Sequence, residues 1–105
     1  MPKFIIAYHG GNKPETNEAG AAQMAKWKAW VDDLGDACVN PSTPPLGQSR
    51  IVSAAGFSDD GGSNAMLEFS VVMAADIDAA LELAKRCPFL EFGGTLEVAE
   101  MLEMP

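Results

Sequence analysis

The amino-acid sequence predicts an α+β domain, an antiparallel sheet with two helices on one face, on three observations. Residues 3–9 and 64–73 have the β-rich, alternating pattern of half-buried strands. Residues 18–34 and 77–87 instead repeat their apolar side chains at helical spacing. A second helix–turn–strand unit then repeats the plan of the first, with a hard stop at Cys87-Pro88 and a turn at Gly93-Gly94. At 105 residues the chain is one domain, residues 1–105, large enough to bury a core.

Each element has its own warrant. The first strand, Lys3 to His9, ends at Gly10-Gly11, and a loop with Pro14 follows. From Glu18, Met24, Trp27, Val31 and Leu34 fall on one helical face, and Gly35 is placed to end the helix. Residues 36–39 suit a short strand. Residues 40–47 hold three of the seven prolines and exclude regular structure, as a stiff connector or a lid over a cleft. Residues 50–54 read as a strand and 58–62 as the hairpin turn after it.

In the next strand Ala65, Leu67, Phe69, Val71 and Met73 alternate with Asn64, Met66, Glu68, Ser70 and Val72. The wholly apolar set is expected under the helices, and the mixed set, with Glu68 and Ser70, on the free face. Asp76 caps a helix whose buried stripe is Ile77, Ala80, Leu81, Ala84 and Cys87. The last strand, residues 95–101, completes a β-α-β-β-α-β order with a broken second strand, the ferredoxin-like plan. A sheet covered on one side leaves a half-apolar face that a second copy can bury, so a homodimer joined through its sheet faces, a dimeric α/β barrel, is expected.

Composition narrows the function classes. An apolar share of 48% is that of a globular chain, and no run approaches the ~20 apolar residues of a membrane span. A net charge of −8 argues against nucleic acid and against anionic membranes. The opening Met-Pro-Lys-Phe runs into a strand pattern without a basic leader, so a cytoplasmic location is expected. Cys38 and Cys87 stand apart and there is one His, so no metal site is expected and both thiols read as reduced. No flavin, nucleotide or other cofactor motif is visible, and Gly10-Gly11 lacks the spacing of a phosphate loop.

Several segments together resemble the YCII-related (DGPF/YciI-like) family: residues 4–10, Met24-Ala-Lys-Trp-Lys-Ala-Trp-Val-Asp-Asp-Leu-Gly35, Pro44-Pro-Leu-Gly47, residues 77–84, Cys87-Pro-Phe-Leu90 and residues 93–98. The resemblance implies a ferredoxin-like fold that dimerises through its sheets. It has two departures. The Asp-Gly-Pro-Phe motif of one branch is replaced by Asp59-Asp-Gly-Gly-Ser-Asn64. The His that another branch carries early in its first helix is absent from residues 23–28.

The residues themselves propose a site. His9 is the one side chain of a type suited to acid–base work near neutrality, and it sits where a strand meets two glycines; the bland reading is a histidine bonded to a loop carbonyl. Glu68, placed on the free face, suits a general base or a partner to His9, or else an ion pair with Arg50. Glu97, Ser70 and Trp30 are the candidate ligand contacts, with Trp30 at the edge of its helical stripe and Trp27 in the core. The expected activity is binding, or transformation by proton transfer, of a small, largely apolar metabolite. The alternative is a non-catalytic homodimeric interaction or accessory module.

Overall fold

The computed structural model describes residues 1–43 and 46–103. Pro44 and Pro45 of the proline-rich stretch lie outside these residues. In order come β1 (Lys3–Gly10), α1 (Asn17–Leu34), β2 (Cys38–Asn40), β3 (Val52–Ser53), β4 (Gly56–Phe57), β5 (Met66–Met73), α2 (Ile77–Lys85) and β6 (Gly94–Met101). Short 3-10 segments, Gly35–Ala37 and Pro88–Phe92, follow α1 and α2. β2, β5, β1 and β6 lie in that order in one antiparallel sheet, and β3 and β4 form a separate two-stranded sheet. The fold is α+β, two helices against one face of an antiparallel sheet, and its strand order is compatible with the ferredoxin-like plan.

Helix α1 starts at Thr16, whose hydroxyl accepts the Ala19 amide (3.0 Å), and stops at Gly35, where φ is 54°. Its inner side keeps Trp27, Val31 and Leu34 of the expected stripe and adds the buried Trp30, whereas Met24 is exposed. Asp76 caps α2 as expected, accepting from the Ala79 amide at 2.9 Å. Ala80, Ala84 and Cys87 form its inner side with Leu83, whereas Ile77 and Leu81 are exposed. The small alanines let α2 lie close to the sheet.

The sheet corrects the expected faces. Phe4, Ile6 and Tyr8 of β1 point into the core under the helices. They pair across the ladder with Val72, Ser70 and Glu68 of β5 and with Glu100, Val98 and Leu96 of β6. Glu68, Ser70 and Val72 of the mixed set are therefore helix-covered, while Met66 lies beyond a register shift, opposite His9. Phe69, Val71 and Met73 lie on the other face with Ile5, Ala7, Ala99 and Met101. Register decides this, because a strand has one phase relative to its neighbour and β1 is the strand whose core face is unambiguous.

Residues 50–54 also depart from expectation. The turn falls at 54–55, and the resulting two-residue hairpin stands outside the main sheet with Val52 and Phe57 exposed. The edge of β5 is instead extended by the segment after β2, through Thr43 N–H to Phe69 C=O (3.0 Å) and Leu46 N–H to Leu67 C=O (2.8 Å).

Candidate functional site

A cleft of about 600 Å³ opens on the helix-covered side, between the start of α1 and one end of the sheet. Tyr8 and Glu68 come from paired positions of β1 and β5. Gln23, Met24 and Trp27 come from α1, Ser42, Thr43 and Leu46 from the proline-rich stretch, and Phe89 and Phe92 from the 3-10 segment. The wall is mainly apolar and aromatic with a few polar groups, the composition of a small-molecule site. Two more open grooves flank α1, and both are lined by Lys26, Ala29, Arg86 and Pro88.

Phe89 is seated by glycine. A methyl group on Gly94 would overlap its ring, and one on Gly11 would come within 2.9 Å of Cζ. The Phe89 ring also lies 5.1 Å from the Tyr8 ring at 57°, a tilted aromatic contact. Gly11 after β1 and Gly94 at the start of β6 thus admit an aromatic side chain of the protein itself.

Behind the cleft runs a hydrogen-bond chain whose direction is set by its two ends. The Trp27 indole N–H, a donor only, gives to Tyr8 Oη (3.3 Å). Tyr8 gives to Ser70 Oγ (2.8 Å), and Ser70 gives to the Pro41 carbonyl, an acceptor only (2.5 Å). Ser70 is fully buried, and this chain satisfies it. Burial pushes the Tyr8 phenol well above its ordinary range; the nearby Cys87 adds to the rise, and the bonds with Ser70 and Trp27 offset part of it. Burial likewise raises the Cys87 thiol. Tyr8 and Cys87 therefore stay protonated at neutral pH.

Glu68 is arranged differently. Its Oε2 lies 2.6 Å from Ser42 Oγ, and the same Oγ lies 2.7 Å from the Thr43 carbonyl. A hydroxyl has one proton, so it cannot donate to both. With Glu68 ionised, Ser42 donates to the carboxylate. With Glu68 protonated, the carboxyl donates to Ser42 and Ser42 donates to Thr43. In either protonation state Ser42 stays hydrogen-bonded to Glu68, and one hydroxyl rotation moves its proton between the carboxylate and the Thr43 carbonyl.

The structure separates the residues grouped by the sequence. His9 and Glu68 lie on opposite faces, so Glu68 is not the partner of His9. The partner is Glu97: His9 Nε2 is 3.2 Å from Glu97 Oε1, and Nδ1 is 3.0 Å from the Asn64 carbonyl. Arg50 does not pair with Glu68 either, since its Nε donates to the Ser58 carbonyl at 2.7 Å. Trp30 is buried and donates to the Leu83 carbonyl (3.0 Å), outside the described cleft lining, while Trp27 faces the cleft. Ser70 sits behind Tyr8 rather than on the cleft surface.

Tyr8, Trp27, Ser42, Phe89 and Phe92 are among the lining residues that sequence reasoning did not place in a site. The signal for Phe89 and Phe92 was Pro88 opening a short helical turn with Phe at spacing three. Among the described residues no cluster of His, Cys, Asp and Glu could hold a metal, and no helix is long and apolar enough to cross a membrane. Cys38 and Cys87 are free thiols. Searched against protein-family models the chain matches none, and a search of curated proteins finds no significant relative.

Proposed function

We propose that this protein binds a small, largely apolar metabolite in the Tyr8–Glu68 cleft and moves a proton at Glu68. The observation that carries the reading is the Ser42 hydroxyl, set between the Glu68 carboxylate and the Thr43 carbonyl. Such a hydroxyl serves Glu68 both before and after it accepts a proton, as a general base requires. Proton exchange is the test. The protein is incubated in deuterated water with compounds bearing acidic C–H bonds, such as aryl ketones and amino ketones, and exchange is followed by NMR. Deuterium incorporation that is lost in Glu68→Gln and slowed in Ser42→Ala is expected. Equal exchange in wild type and Glu68→Gln would count against the proposal.

The same reading takes the chain as a YCII-related, ferredoxin-like protein that pairs through its sheets into a dimeric α/β barrel. The apolar sheet face away from the helices supports this, with the half-buried Ile5, Phe69 and Met73 on it. Such a pairing would enclose the His9–Glu97 pair and leave the cleft on the outer, helical side. A second reading, a non-catalytic homodimeric module, draws on the fact that His9, Ser70 and Trp30 all have hydrogen-bond partners within the chain.

A further inference from the structure

We infer that the ligand of this cleft is a cation, an aryl- or alkylammonium compound, held by Glu68 and by the aromatic walls. The inference rests on the small-molecule reading of the cleft. Only Oε2 of Glu68 is engaged, by Ser42, and among the described residues Oε1 has no hydrogen-bond partner and the carboxylate no ion pair. A half-buried carboxylate with one oxygen held and the other open is a receptor for a donor, most of all a charged one.

The walls agree. Trp27, Phe89 and Phe92 line the same space, and aromatic faces attract ammonium groups through their quadrupoles. Lys13 is the only basic residue in the described lining, it is exposed, and it forms no ion pair with Glu68. The chain as a whole carries a net charge of −8, a field that attracts cations and repels carboxylates. An anionic ligand would have to sit against Glu68 with only the exposed Lys13 to compensate it.

Three probes of one shape and different charge decide the matter: phenethylamine, 2-phenylethanol and 3-phenylpropionate, titrated by NMR with the Trp27 indole N–H as reporter. The amine should bind about tenfold or more tightly than the alcohol, as a charged hydrogen bond exceeds a neutral one. The acid should not bind. In Glu68→Gln, which keeps an acceptor for Ser42, the amine should fall to the level of the alcohol, with melting and circular dichroism reporting whether the variant is folded. Binding of the alcohol or the acid as tightly as the amine in wild type overturns the cationic class and leaves the cleft a binding site. Binding of none of the three, with Trp27 unmoved, overturns the cleft reading as well.

Discussion

Tyr8 is the only tyrosine of the chain, so its ionisation can be followed without interference. Its phenol is raised by burial, and the sign of the consequence follows from linkage. Below about pH 10 both folded and unfolded chains keep the proton, and the contribution to stability is constant. Above it the unfolded chain loses the proton first, so stability falls as pH rises. Tyrosinate absorbance at 295 nm should therefore stay absent at about pH 11 while circular dichroism shows a folded chain, and should appear together with unfolding. A tyrosinate signal from intact protein would contradict the buried chain from Trp27 to Pro41. The two tryptophans show the limit of reading single residues. They lie about 60° apart on α1, and sequence read both as core, with Trp30 at the edge and the candidate ligand contact. Packing buries Trp30, which donates to the Leu83 carbonyl, and leaves Trp27 half-buried against the core, facing the cleft and donating to the Tyr8 hydroxyl.

Elements differ in how much of themselves they reveal. Both helices were legible from caps and stops, since Asp76, Gly35 and Pro88 act through local sterics and local hydrogen bonds. The face of β5 was not, because Phe69 and Val71 look more like core than Ser70 does. A serine enters a core only if its hydroxyl is satisfied, and the acceptor, Pro41, lies 29 residues away in sequence. The 3-10 segment Pro88–Phe92 depends on β6 beginning with a residue that lacks a side chain. Gly94→Ala should destabilise the protein by about 1–3 kcal/mol through overpacking against Phe89, measured by urea denaturation. The double variant Gly94→Ala with Phe89→Ala should recover part of what Gly94→Ala loses relative to Phe89→Ala alone. Simple additivity of the two changes would show that Phe89 is not seated there.

At the level of the whole molecule, the open sheet face sets a clear expectation. Phe69 lies half-buried on it, so Phe69→Lys should turn a dimer into a monomer in sedimentation velocity while leaving the helical circular dichroism intact. Ile77→Lys, on the exposed side of α2, should leave the dimer unchanged. A wild-type chain that sediments as a monomer at high micromolar concentration would rule out the pairing. The sequence by itself determined the class of fold, the order of its main elements and the caps that bound its helices, because these follow from periodicity and from the conformational limits of Gly and Pro. Only the tertiary structure decided which face of β5 is covered, that His9 meets Glu97 rather than Glu68, and that Glu68 shares a cleft with Ser42. These pairings join residues 88 and 26 positions apart, and register across the sheet brings them together.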